Sequence, residues 1–137
     1  MRRLLFVLSA VFVLSFNSFG MSSNSSPFIV ILSPRHNAVL CEGRSYLIKW
    51  KSRNVKKLCI EPVIGGHPAG ILGNCNVDAL KGEFLWHIPK GFVSNFGVNN
   101  EKVKLYLCNK SETYCASIDV VIKSICINPI RRKPKPL

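Results

Sequence analysis

The residues able to do chemistry are present in this chain, but no motif assembles them. Seven acidic residues are scattered along 137 positions: Glu42, Glu61, Asp78, Glu83, Glu101, Glu112 and Asp119. Acid–base work on a glycosidic bond needs two carboxylates on facing positions, and no spacing here pairs two of them. Serine, histidine and aspartate all occur without a nucleophile-elbow pattern. His36 and His67 fall in turn-like segments. His87 lies on the strand face opposite Trp86. All three read as surface histidines with no activating neighbour. Gly65-Gly66 and Gly70 have the look of turn glycines, not of a phosphate cradle. The expectation is a non-enzyme with no catalytic residue, no metal and no cofactor.

The six cysteines are Cys41, Cys59, Cys75, Cys108, Cys115 and Cys126. No Cys-x-x-Cys pair occurs, and no histidine stands at ligand spacing from a cysteine pair, which argues against zinc. An even count in an exported chain instead reads as a disulfide framework. Export is indicated by residues 1–20. Arg2 and Arg3 form a positive head, Leu4 to Phe16 an apolar run too short to span a bilayer, and Ser18-Phe19-Gly20 a small-residue cleavage site. Together these are a secretory signal peptide. No transmembrane anchor is expected after its removal, and the chain is expected to be secreted, at a cell surface or wall.

Charge narrows the partners. The formal net charge is +12, and loss of Arg2 and Arg3 with the leader leaves +10. An exported basic domain has few reasons to meet nucleic acid, so none is expected. Cell-wall polysaccharide, anionic glycan or an acidic cell-surface protein are the fitting partners. Asn24-Ser25-Ser26 and Asn109-Lys110-Ser111 are glycosylation sequons, which matter if the source is eukaryotic.

The elements that must position these residues are strands. Tyr46, Ile48 and Trp50 alternate with Lys49 and Lys51, and Phe84, Trp86 and Ile88 alternate with Leu85 and His87. That period of two marks half-buried strands. Strands are expected over 28–32, 45–51, 55–63, 83–88, 102–108 and 113–123, with a short resumption at Val39-Leu40 and a weak strand over 69–72. Residues 74–81 read as irregular. Tyr114, Ala116, Ile118, Val120 and Ile122 are expected on one inward face, and Trp50 and Trp86 in the core. About seven strands separated by turn signals predict an all-β, immunoglobulin-like antiparallel sandwich of two sheets, stapled by disulfides. The division is a signal peptide at 1–20, a disordered lead-in at 21–27, the sandwich at 28–126, and a basic Pro-rich tail at 127–137.

Strand parity also places the cysteines. Cys108 and Cys115 both face away from the core on consecutive strands, which suits a cross-strand bridge. Cys41 follows the continuation of the first strand and Cys126 follows the last strand, so they would staple the terminus. Cys59 and Cys75 remain. Six cysteines allow fifteen connectivities, and this is the one the strand faces favour. The candidate ligand surface is Lys49, Lys51, Lys57, Lys102 and Lys104, forming an electropositive sheet face, together with the surface aromatics Tyr106, Phe92 and Phe96, the last two in the loop 92–100.

Three motifs carry a resemblance. Ile31-Leu32-Ser33-Pro34, then Glu42-Gly43-Arg44-Ser45-Tyr46-Leu47-Ile48-Lys49-Trp50, then Gly82-Glu83-Phe84-Leu85-Trp86-His87-Ile88-Pro89 resemble the yeast cell-wall synthesis N-terminal domain family. The same module is called the Ser-Thr-rich glycosylphosphatidylinositol-anchored membrane family. The likeness spans about residues 28–122. It implies an immunoglobulin- or fibronectin-like sandwich at the cell surface, linked in fungi to glucan assembly, with no established catalytic residues. This chain lacks the family's Ser/Thr-rich stalk and lipid-anchor signal, and it adds six cysteines and a strong positive charge.

Overall fold

A computed structural model describes residues 25–127; the expected signal peptide, most of the expected lead-in and all but the first residue of the expected tail lie outside them. Nine strands follow in order: β1 (Phe28–Ser33), β2 (Ala38–Cys41), β3 (Ser45–Arg53), β4 (Lys57–Ile64), β5 (His67–Pro68), β6 (Leu72–Asp78), β7 (Glu83–His87), β8 (Asn100–Asn109) and β9 (Cys115–Lys123). One sheet has the order β1-β3-β7. The other has β2-β9-β8-β4-β5, with β6 also pairing β4. All pairs are antiparallel except β2, which runs parallel to β9. The first strand thus divides its length between both sheets: β1 joins β3, and β2 joins β9. That split, with β3 and β7 in one sheet and β4, β8 and β9 in the other, is the strand order of an immunoglobulin-like sandwich.

The core lies between the sheets and is built by the period-two side chains. Ile48, Trp50, Trp86 and Ile88 come from one sheet; Leu58, Ile60, Val103, Leu105, Leu107, Val120 and Ile122 come from the other, all of them buried. The Trp50 indole N–H donates to Ala79 O at 2.9 Å, so the one polar atom of the ring is satisfied inside the core. Cys41 joins Cys126, Cys59 joins Cys75, and Cys108 joins Cys115. Cys59 and Cys108 are register partners on β4 and β8. Four cysteines therefore cross the outer face of the six-stranded sheet in one row, from β6 through β4 and β8 to β9.

Three expectations are corrected. Residues 74–81 are not irregular: β6 runs through Asp78 and a 3-10 turn follows at Ala79–Lys81. Alternation is absent there because β6 bulges, so that Leu72 pairs with Ile60 while Val77 already pairs with Leu58. Gly73, Asn74 and Cys75 all take positive φ in that bulge. The weak strand at 69–72 is replaced by the two-residue β5, with residues 69–71 as a connection. Tyr114 precedes β9 and is 41% exposed, so it does not share the inward face of Val120 and Ile122.

Candidate functional site

The lysines singled out from sequence do not share a face. Lys49 and Lys51 lie on the outer side of β3, opposite in parity to buried Ile48 and Trp50. Lys57, Lys102, Lys104 and Tyr106 lie on the outer side of the six-stranded sheet, on β4 and β8. Those two surfaces point in opposite directions. Parity tells which way a residue points from its own strand, but not which sheet the strand joins. The second set is not uniformly cationic either. Lys104 Nζ is 3.9 Å from the Asp119 carboxylate, and Tyr106 stands beside Glu61 in register.

The loop aromatics also separate. Phe92 is partly buried and meets Trp86 edge-on, with ring centroids 5.7 Å apart and planes at 79°; it belongs to the packing, not to the exposed surface expected of it. Phe96 is 70% exposed. The loop between β7 and β8 owes its shape to Glu42. One carboxylate oxygen accepts from the N–H groups of Val93 at 2.7 Å and Ser94 at 2.9 Å. The other accepts from Gly91 N–H at 2.8 Å and the Ser94 hydroxyl at 3.0 Å. Burial by itself would raise the carboxyl pKa. The hydrogen bonds from Ser94, Val93 and Gly91 outweigh it and lower the pKa to about 2.

A better-formed cationic recess exists at one end of the sandwich. β4 and β8 are neighbours, and their register ends at Leu58 opposite Asn109. The turn after β3, residues 54–56, and the turn after β8, residues 110–114, are thereby set side by side. Between them lies a cleft of ≈ 460 Å³, with Lys56, Lys57, Lys110, Asn54, Ser111 and Tyr114 on its walls. No acidic residue lines it. Its two turns are held firmly. Val55 is buried beneath the first. In the second, Asn109 Oδ1 accepts from Tyr114 N–H at 2.9 Å, Asn109 Nδ2 donates to Ser111 Oγ at 2.9 Å, and Glu112 N–H donates to Asn109 O at 2.8 Å. Asn54 takes φ 55° and its Nδ2 donates to Ser25 O. A second recess of ≈ 600 Å³ opens on the far side of Lys56 and Lys57, toward Asp78 and Leu80.

Neither a known protein family nor a curated protein sequence matches the chain. Solved structures do. A fibronectin(III)-like module of Clostridium thermocellum CbhA aligns at 13% identity and TM-score 0.39, covering 70% of this chain and 94% of that one. A chimeric titin Z1Z2 tandem aligns at 10% identity and TM-score 0.39, covering 69% of this chain and 48% of that one. The assignment of the fold rests on the strand order given above.

Of the residues expected at a binding surface, only Lys57 borders the cleft. Lys110 was missed because it lies in a turn, where no periodicity marks direction. Lys56 and Tyr114 were missed because strands were expected over 55–63 and 113–123, whereas β4 starts at Lys57 and β9 at Cys115. The available signal was the charge of both turns combined with the neighbouring of β4 and β8. Lys56 and Lys110, on the walls with the exposed Tyr114 ring, can hold a carboxylate- or sulfate-bearing group as point charges while the ring packs on an apolar sugar face. The Lys57 ammonium is turned toward β6, 3.5 Å from Asn76 O. Among the described residues, no group of histidine, cysteine, aspartate or glutamate is arranged to hold a metal ion. None of their helices is long and apolar enough to cross a membrane.

Proposed function

We propose that this protein is a secreted, non-enzymatic β-sandwich module that acts at a cell surface or wall and binds anionic polysaccharide. The observation that carries the reading is the acid-free cleft between the turns 54–56 and 110–114, with Lys56, Lys110 and Tyr114 on its walls. It lies at the end of the sandwich where the turn between β3 and β4 meets the turn between β8 and β9. Immunoglobulin variable domains place ligand-binding loops on the equivalent end. The motif resemblance to wall-associated modules and the formal net charge of +12 support the same reading. Three disulfides suit the oxidising compartment to which residues 1–20 would direct the chain.

The test is retention of the oxidised protein on a polyuronate or sulfated polysaccharide at graded salt. Retention at low salt that falls as salt is raised is expected, with loss in the Lys56→Ala/Lys110→Ala variant. Binding that ignores both salt and these lysines would overturn the reading.

A protein-binding module is the second reading. It is favoured by the outer face of the three-stranded sheet, where Val30, Leu32, Leu47 and Leu85 are 50%, 49%, 41% and 62% exposed. Large apolar side chains gathered on one flat face mark interaction surfaces more often than chance exposure does. Capture of a cell-surface protein by the wild type, lost in Val30→Ser/Leu47→Ser with polysaccharide retention intact, would favour this reading over the first.

A further inference from the structure

Strand β7 is the open edge of the three-stranded sheet. Among the described residues it pairs with β3 on one side and with no strand on the other. Two bonds decide which of its backbone groups are used. Trp50 N–H donates to Gly82 O at 3.0 Å, and Ile88 N–H donates to Arg44 O at 3.0 Å. Residues of an antiparallel ladder point their N–H and C=O alternately toward and away from the neighbour. Gly82, Phe84, Trp86 and Ile88 therefore face β3. Glu83, Leu85 and His87 direct both groups outward; Glu83 and Leu85 border an open groove of ≈ 540 Å³ whose other wall includes Asn76, Val77 and Asp78.

Folded proteins blunt such an edge by keeping it short, or with a proline, a bulge or charged side chains. β7 is short, at five residues, and carries Glu83 at one end, but its middle is unprotected. It pairs with β3 without a register shift, it contains no proline, and its central outward residue is Leu85, 62% exposed.

The outward pattern is also complementary to itself. In a two-fold antiparallel pair centred on Leu85, that residue meets the partner's Leu85. Glu83 then stands opposite the partner's His87, and the reverse contact follows by symmetry. Each outward N–H and C=O finds an acceptor or donor. His87 Nδ1 lies 3.0 Å from the Ser45 hydroxyl. With Nδ1 accepting that proton, Nε2 carries the N–H that the carboxylate of the partner's Glu83 accepts. A register shifted by two residues loses this fit. One shift sets Glu83 against the partner's Pro89, which has no N–H; the other sets His87 against the partner's Lys81. The lysines on β3 do not oppose the pairing. The two β3 strands would be three strand spacings apart, about 14 Å, against a screening length of about 8 Å at physiological salt.

We propose that the chain forms a two-fold dimer by antiparallel pairing of β7 with β7 of a second copy, joining the two three-stranded sheets into one. The contact is short, so its area falls toward the low end for stable complexes and the dimer dissociates on dilution.

Sedimentation velocity of the oxidised chain over a concentration series tests this. Wild type is expected to move from monomer to dimer as concentration rises. Leu85→Lys is expected to stay monomeric, because two ammonium groups then meet at the symmetry axis. Glu83→Arg is expected to weaken the dimer, and Glu83→Arg/His87→Glu to restore it by exchanging the charges across the interface. Melting curves confirm that each variant is folded, and Leu85→Lys, at an exposed position, carries the test should the charge variants unfold. A wild type that stays monomeric throughout, or a dimer indifferent to Leu85→Lys, overturns the proposal. So does a folded double variant that fails to recover.

Discussion

Glu42 and Ser94 stand 52 residues apart in sequence, yet the carboxylate of one accepts both the backbone N–H and the hydroxyl of the other, at 2.9 and 3.0 Å. Gly91 and Val93 add two further N–H donors to the same carboxylate. A single side chain from the turn before β3 thus fixes the loop that carries Phe92 against Trp86.

Glu42→Ala is expected to lower stability at neutral pH by about 1–2 kcal/mol, the range for charge-assisted hydrogen bonds after allowance for solvent exposure. The wild-type carboxyl pKa is lowered to about 2 from 4.5. A group with a depressed folded-state pKa stabilises fully above its unfolded value and loses that contribution as pH falls through the folded value. The wild-type advantage over Glu42→Ala should therefore be constant from neutral pH to about 5 and vanish near pH 2. Thermal melts of both proteins across that range check this, and an advantage that persists unchanged at pH 2 would contradict it.

Trp50→Phe is expected to cost about 3 kcal/mol, combining lost ring volume with removal of a buried donor. Part of the polar cost is offset, because the Ser52 hydroxyl also donates to Ala79 O, at 3.1 Å. In urea titrations, Trp50→Phe combined with Ser52→Ala should lose more than the sum of the two single variants, since only then is the carbonyl left alone.

The bridges should differ in worth according to the loops they close. Cys41–Cys126 spans 85 residues and Cys108–Cys115 spans 7. Loop-closure entropy then favours the first by about 2 kcal/mol. Denaturation midpoints of the Cys41→Ala/Cys126→Ala and Cys108→Ala/Cys115→Ala variants should show that order; equal losses would count against an entropic origin.

In the cleft, Tyr114→Ala and Lys110→Ala should weaken polysaccharide binding in distinguishable ways. Loss of the lysine should flatten the salt dependence, because one fewer charge is screened. Loss of the ring should leave that slope unchanged while lowering affinity at every salt concentration. Affinities measured by calorimetry over a salt series separate the two.

Much of the sandwich was legible because single residues report their burial through parity. Ile48 and Trp50 against Lys49, and Leu105 and Leu107 against Tyr106, point the right way because each strand has one buried face. β6 was illegible for a physical reason: the bulge at Gly73, Asn74 and Cys75 breaks the alternation that would announce a strand. The candidate surface was harder still. Lys51 and Lys104 have the same parity relative to their own cores, but sheet membership sends them to opposite sides of the molecule. Tyr114 stands next to β9 and continues its parity, yet the tight turn at Asn109 to Tyr114 rotates it to the surface. Turns carry no period, so the cleft emerged only once strand pairing was known.

The bridge between Cys41 and Cys126 has a mechanical consequence. Tension applied at residues 25 and 127 reaches that bond after passing through β1 and β2 alone. The chain from 41 to 126, with seven of the nine strands, lies inside a covalent loop and carries no load. Pulled by its ends, the oxidised protein should surrender only its first strands and then stop, as inextensible as the bond itself. The reduced protein should pay out its whole length.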